Sequence, residues 1–371
     1  MPHILAAMSG GVDSSVAAAL LKAQGFDVEA AYMRNWAHEP NVLGNCPWQD
    51  DIDSARAAAT SIGIPFRVVN LMDAYRERVV RKLIDGYASG ITPNPDALCN
   101  REIKFGAFCD FARGEGFDAV ATGHYARRAP GIGGTWDILD AADTNKDQTY
   151  FLALLRQPQI AAARFPLGEM TKPQVREMAR RFNLPNADRK DSQGICFIGK
   201  IRMSDFLREF IPDRAGPILD TDGHVLGEHP GLHHFTLGQR RGIRIPSNTF
   251  GQAYVVVAKR ASDNALVVAL ERPDAPGLHA RRATLENLSF TNAPIASPAR
   301  IRARPRYRAP ATPALLTPLP DNRAEIEFDA PQRALTPGQV CALYDGPRLV
   351  GGAIFAEISA RNKTTATQEV V

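Results

Sequence analysis

Along the first 125 residues, short apolar runs alternate with stretches in which apolar positions recur every three or four residues. Residues 4–8 read as a strand, 14–24 as a helix, 28–33 as a strand and 50–62 as a helix. Short strands at 66–69 and 119–122 follow, with helical periodicity over 74–87 and 101–113 between them. This alternation predicts an α/β fold built on a doubly wound parallel sheet, whose ligands sit beyond the carboxyl ends of the strands. One more helix is expected over 200–213, and after residue 215 the texture changes. Gly and Pro now punctuate short strands at 252–259 and 265–270, followed by strands expected at 300–308, 323–328, 339–344 and 349–355. The pattern divides the chain into 1–205, a small central domain at 206–275, and a closed or sandwiched β domain, read as a barrel, at 276–371.

Composition narrows the class. The chain has 371 residues, 44% hydrophobic and 23% charged, which excludes a single small module, collagen, a coiled coil and a disordered polymer. The apolar runs at 253–258 and 265–270 are broken by charges far short of the roughly 20 residues a membrane span needs, so no membrane association is expected. The start runs directly into a strand without a secretory pattern, and a cytoplasmic location is expected. Cysteines stand at 46, 99, 109, 196 and 341 with no CxxC pair, which argues against a disulfide framework and a four-ligand zinc site. A net charge of +4 leaves room for a basic surface without demanding one.

The first candidate chemistry is Ser9-Gly10-Gly11-Val12-Asp13-Ser14-Ser15, between the first strand and the first helix. There, backbone N–H groups and the positive helix end can face an anion. The loop lacks both the GK[ST] of a P-loop and the GxGxxG of a dinucleotide fold. A plain Gly-rich turn capped by Asp or Ser is the alternative.

Two cysteine segments stand out. Thr92-Pro93-Asn94-Pro95-Asp96-Ala97-Leu98-Cys99 places a thiol at an expected helix start near Arg101 and Lys104, where a thiol pKa falls, with Asp96 positioned to shuttle protons. Cys196 lies in a Gly-flanked loop among Arg189, Lys190 and Lys200. Cys109 and Cys341 read as buried apolar residues, and Cys46 as structural or incidental. His229, His233 and His234 are not expected to hold zinc. Pro230 and Gly231 break a helical ligand face, and no acidic partner stands at a fixed spacing. Arg300, Arg302, Arg304, Arg306 and Arg308 alternate with other residues, which on a strand sets five guanidinium groups on one face. That face is either solvated or turned toward a polyanion such as RNA.

SGGxDS resembles the pyrophosphate loop of the ATP pyrophosphatases, which implies cleavage of ATP between its α and β phosphates with Mg²⁺ assisting. TPNPDxxCNxxIKF, KDSxGICFIG and the GQRRG of residues 238–242 together resemble the tRNA-specific 2-thiouridylase family. The resemblance implies an ATP-binding catalytic domain, a central tRNA-binding domain and a C-terminal β-barrel. It implies ATP contacts at Ala7, Met8, Ser9, Gly10, Gly11, Val12, Asp13, Ser14, Met33 and Gly123. Cys99 would be the nucleophile, Cys196 the carrier of a persulfide that ends in a Cys99 to Cys196 disulfide, and Asp96 the acid/base. Asn94, Pro95 and Asp96 would face the target base. His124, Lys146, Asp147, Gln148, Arg306, Tyr307 and Gln339 would meet the tRNA, although His124 also reads as a satisfied structural residue and 146–148 as a polar helix start. The implied partners are tRNAs for Lys, Glu and Gln, and a persulfide donor, either a cysteine desulfurase or a relay protein. An iron–sulfur cluster on Asp96, Cys99 and Cys196 stays open as an alternative.

Two other functions compete with this one. An amidating ligase with the same loop would not need Cys99 and Cys196. A non-catalytic RNA-binding protein would retain tRNA through its C-terminal part and release no pyrophosphate.

Overall fold

Hydrophobic residues line both faces of strand β1 (His3–Ala7), as a strand covered by helices on each side requires. Ile4 and Ala6 pack with Ala18, Leu21, Ala55 and Ala58. Leu5 and Ala7 point the other way, toward Tyr75, Leu83, Ile103 and Phe108. The computed structural model describes residues 1–36, 47–190, 202–246 and 252–359. Its next strands are β2 (Asp27–Arg34), β3 (Phe66–Asn70) and β4 (Ala119–Ala121), then a hairpin of β5 (Arg127–Pro130) and β6 (Trp136–Leu139), and β7 (Ala163–Arg164). A parallel sheet in the order β3-β2-β1-β4-β7 results. The chain leaves β1 toward β2 on one side and later returns to β4 on the other. The topological switch point therefore lies between β1 and β4, where such sheets open a ligand crevice.

Helices Val12–Ala23 and Pro47–Ile62 cover one face, close to the spans read from periodicity. The other face carries helical runs over 72–88 and 95–114, each containing a π-helical stretch, Arg76–Val80 and Asn100–Ala107. The wider π turn changes which carbonyls find partners in the helix, and Gln159 Nε2 donates to Arg101 O at 2.7 Å and Phe105 O at 2.9 Å. The helix expected over 200–213 is formed as Met203–Arg208, and a helix at Lys172–Arg181 was not anticipated. No helix among the described residues is long and apolar enough to cross a membrane.

A central four-stranded sheet follows, built from β8 (Gly216–Leu219), β9 (Val225–His229), β10 (Tyr254–Arg260) and β11 (Ala265–Leu270). The last segment contains β12 (His279–Phe290), β13 (Ala299–Arg304), β14 (Thr312–Leu319), β15 (Arg323–Arg333), β16 (Val340–Asp345) and β17 (Arg348–Ser359). Pairing of β12 with β17 closes these six into a barrel around Leu285, Leu316, Ile326, Phe328, Leu343 and Phe355. The α/β domain, small central domain and barrel match the predicted class.

The strand expected over 300–308 stops at Arg304, because Pro305 has no N–H to continue the ladder and the chain turns. The β5–β6 hairpin, though early in sequence, extends the barrel wall through Leu349 paired with Ile138.

Candidate active site

The turn out of β1 is held by its own side chains. Ser14 Oγ accepts the Ser9 N–H at 3.2 Å and donates to Gly11 O at 3.1 Å, and Ser15 Oγ donates to the same carbonyl at 3.0 Å. Gly11 is the N-cap of helix Val12–Ala23 and provides no side-chain acceptor for its first-turn N–H groups, so an anion can fill that role. The Gly10 carbonyl accepts from Ser54 Oγ at 2.9 Å, Asn186 Nδ2 at 2.9 Å and Arg189 Nη1 at 3.0 Å, and Arg189 also pairs with Asp51. Asp13 is gripped by Lys172 Nζ at 2.7 and 2.9 Å and by Tyr125 OH at 2.9 Å. Gly123, after β4, comes so close to this helix start that a Cβ would stand 2.7 Å from Ser14 N. Met33 lies near the end of β2, half-buried, and Ala7 and Met8 are buried beneath the loop.

Loop reading alone missed Lys172, Asn186, Arg189 and Tyr125. The loop lacks the lysine of a P-loop, and the fold brings cations to it from more than 150 residues away.

Asn94 caps the helix Pro95–Cys99, accepting the Ala97 N–H at 3.1 Å, with Pro95 at its first position. The helix continues to residue 114, so Cys99 is its fifth residue rather than its start. The unpaired N–H groups of the first turn precede the thiol, and Cys99 is only 2% exposed, in one core cluster with Ala7, Ala97 and Ile103. Asp96 is half-buried, and desolvation pushes its carboxyl above the usual range against the pull of Lys104. Burial, helped by Lys104, holds His124 well below its usual value. One ammonium on the Cys99 helix is therefore felt both by Asp96 and by the residue next to Gly123.

The barrel grips the segment before this helix. Thr92 N–H donates to Pro337 O at 2.9 Å, and Gln339 Nε2 donates to Thr92 O at 2.8 Å and Pro93 O at 3.4 Å. Gln339, expected at the tRNA, here holds the backbone leading to Asn94.

The other expected RNA-facing residues divide. Arg306 is exposed, and Tyr307 packs half-buried on Phe151 with ring centroids 4.4 Å apart. His124 is buried, shares a 2.7 Å hydrogen bond between Nδ1 and Thr122 Oγ1, and packs near Phe105 and Phe165. Asp147 is also buried and accepts from Ala141 N–H, Thr149 Oγ1 and Arg304 Nη1 at 2.9, 2.7 and 2.8 Å. Gln148 Oε1 accepts the Tyr125 N–H at 3.0 Å, and Lys146 is half-buried. The five-arginine face is reduced to three residues on β13, each with a partner. Arg300 pairs with Asp329, Arg302 donates to Ala311 O at 2.8 Å and Arg304 meets Asp147.

Cys109 and Cys341 are buried, with burial pushing the Cys109 thiol up to about 12. Cys196 and Cys46 lie outside the described residues. The acidic partner missing beside the histidines arrives through the fold. Asp213 Oδ1 lies 3.2 Å from His233 Nε2 and 2.5 Å from His234 Nε2, while its other oxygen pairs with Arg208 at 3.2 Å. Among the described residues, the groups of three possible metal ligands are this one and Asp220, Asp222 and His224; neither includes Asp96 or Cys99.

Three family models match consecutive segments: a tRNA methyl transferase HUP domain over 2–200, a tRNA methyl transferase PRC-barrel domain over 204–270 and an aminomethyltransferase beta-barrel domain over 280–355. The chain is 54% identical over 358 residues to the tRNA-specific 2-thiouridylase MnmA of Akkermansia muciniphila, covering 96% of this chain and 99% of that one. It is 44% identical to the protein of that name from Neisseria meningitidis serogroup C, over 95% of each chain. With tRNA-specific 2-thiouridylase MnmA 1 of Geobacillus kaustophilus it shares 41% identity over 98% of each.

Proposed function

The chain belongs to the tRNA-specific 2-thiouridylase family, and from that premise we propose that it uses ATP to replace the C2 oxygen of the wobble uridine of tRNA with sulfur. It is a tRNA-uridine 2-thiolating enzyme, a sulfurtransferase. The C2 oxygen of uracil is a poor leaving group, so it first attacks the α-phosphorus of ATP and pyrophosphate departs. The Ser9 to Ser14 loop, Met33 and Gly123 hold the nucleotide, with Lys172 and Arg189 supplying positive charge close to its phosphates. The terminal sulfur of a persulfide on Cys196 then attacks C2, and AMP leaves with the former C2 carbonyl oxygen. Cys99 attacks the inner sulfur of Cys196, breaking the S–S bond; the nucleoside keeps C2=S, and a Cys99 to Cys196 disulfide remains. A thiol reductant supplies the two electrons that reset it. Asp96, with its raised pKa, takes and returns the proton.

The observation that carries this reading is geometric: Ala7, where β1 enters the loop, shares a buried cluster with Ala97, Cys99 and Ile103, and Phe105 of the Cys99 helix packs 5.9 Å from His124, the neighbour of Gly123, which abuts Ser14. Mg²⁺ fits less readily. Asp13 is the carboxylate of the loop, and both its oxygens are held by Lys172, so the cation's part in the proposal is confined to arriving with ATP. By family resemblance the substrates are tRNAs for Lys, Glu and Gln in the cytoplasm, and the sulfur comes from a cysteine desulfurase or a relay protein. The target base has to leave its stack to reach Asn94, Pro95 and Asp96.

The test is to incubate the chain with unmodified tRNA, ATP, Mg²⁺ and a persulfide donor, then digest the RNA and weigh its nucleosides. AMP, pyrophosphate and 2-thiouridine are expected from the wild type, with no thio-nucleoside from C99S or C196S. AMP without 2-thiouridine, a methylated nucleoside in its place, or full product from both serine variants overturns the proposal.

A further inference from the structure

On β13, Arg300 and Arg304 are ion-paired and Arg302 is held by the Ala311 carbonyl, and a cluster of positive charge lies one turn further along. Arg306 is exposed, and among the described residues it pairs with no carboxylate; its Nη1 donates to Arg333 O at 3.4 Å. After burial, the Arg333 guanidinium is what lowers Arg306 from its usual range, a sign of like charges in proximity. Arg333 Nη2 reaches Glu271 Oε1 at 2.7 Å and Gly238 O at 3.1 Å, and Arg240 Nε reaches the other oxygen of Glu271 at 2.8 Å. Two guanidiniums thus share one carboxylate and the third, Arg306, stands beside Arg333, at the seam where the GQRRG segment of the central domain meets the barrel. The same seam supports the loop before Cys99. Thr236 Oγ1 lies 3.5 Å from Thr92 Oγ1, and Pro337 accepts the Thr92 N–H. Clustered like charges repel unless an external polyanion offsets them, and the phosphates of a nucleic acid backbone do so at regular spacing.

We propose that Arg240, Arg306 and Arg333 form a seat for the sugar–phosphate backbone of RNA beside the loop that leads to Cys99, with Glu271 competing with the phosphates for two of the three. The proposal rests on the tRNA reading above and adds to it roles for Arg240, Arg333 and Glu271; the family resemblance included the GQRRG segment but gave none of these residues a role.

Binding of a tRNA transcript to the full chain, measured by fluorescence anisotropy across a series of KCl concentrations, tests it. R240Q and R333Q each weaken binding and lower the slope of log K against log[KCl] by about 1, as loss of a phosphate contact does. R300Q, which removes an arginine already paired with Asp329, leaves the slope unchanged. E271Q gives the sharpest readout. It releases two guanidiniums, so binding tightens, whereas a purely structural Glu271 would weaken it. Unchanged slopes in both R240Q and R333Q, or weaker binding by E271Q, overturn the seat. A wild-type chain that binds tRNA but forms no 2-thiouridine sinks the reaction and leaves the seat standing. One that thiolates tRNA with unaltered slopes in the variants sinks the seat alone.

Discussion

Asp96 stands three residues before Cys99, and its carboxyl holds a proton to higher pH than an exposed aspartate would. A general base reacts as the carboxylate, so the rate should rise as pH climbs through that raised value. The acid limb of kcat/KM is then expected above the ordinary aspartate pKa of about 3.9. D96N is expected to lower kcat by about 10²- to 10⁴-fold and to remove that limb, as a pH–rate profile would record. Stability should move the other way. A carboxyl whose folded pKa is raised gives its full contribution below the unfolded value and loses it as pH rises through the folded one. The variant should therefore melt no lower than the wild type at pH 7. An acid limb that persists in D96N would assign the proton to another group. Asp96, Cys99 and the serines of the loop were legible in the sequence because each group is contiguous in the chain. Lys172, Asn186 and Arg189 were not, since nothing near them in sequence marks the loop they serve.

Strands and helices were read well where a periodic pattern ran uninterrupted, and less well where a single residue altered it. Pro305 ends β13 and sends Arg306 and Arg308 into a turn, which the alternation of arginines alone did not reveal. The two π-helical stretches leave the apolar pattern intact, so periodicity does not report them. Between β15 and β16, Gly338 is the point where the barrel touches the loop before Cys99. Its φ is +90°, and a Cβ there would lie 2.9 Å from Thr92 C and O and 3.0 Å from Thr92 N, all backbone atoms that cannot swing aside. G338A should therefore displace Thr92 and Pro93 and lower kcat for thiolation by about 10- to 100-fold, the scale of a misplacement near 1 Å. Single-turnover kinetics beside a tRNA-binding titration would check this. A variant that turns over normally, or that fails only in binding, would show that the contact does not position the loop.

At the scale of the molecule, one apolar cluster joins Ala153, Leu154 and Leu155 of the first segment to Val340, Ala342 and Leu349 of the barrel, and buried polar links add to it. Arg304 of the barrel meets Asp147 of the first segment at 2.8 Å, with side chains 16% and 7% exposed, and also stacks on Tyr344. Removing one member of such a pair strands the other. R304M should therefore cost about 3–5 kcal/mol in urea unfolding, and D147N together with R304M should recover much of the loss. A single-variant loss under about 1 kcal/mol would show that the link holds little. The chain's own order of residues was enough to specify the α/β class, the β-rich last third, the glycine turn between β1 and the first helix, and the helix that carries Asp96 and Cys99. Each of those depends on neighbours a few residues apart, whose geometry follows from local backbone periodicity. Only the folded chain decided that Lys172 and Arg189 serve the loop, that the 127–139 hairpin joins the barrel, that His124 and Asp147 are interior, and that Arg240 and Arg333 share Glu271. Those arrangements join residues tens to hundreds of positions apart, and local propensity carries no information about which distant side chain will satisfy a buried charge.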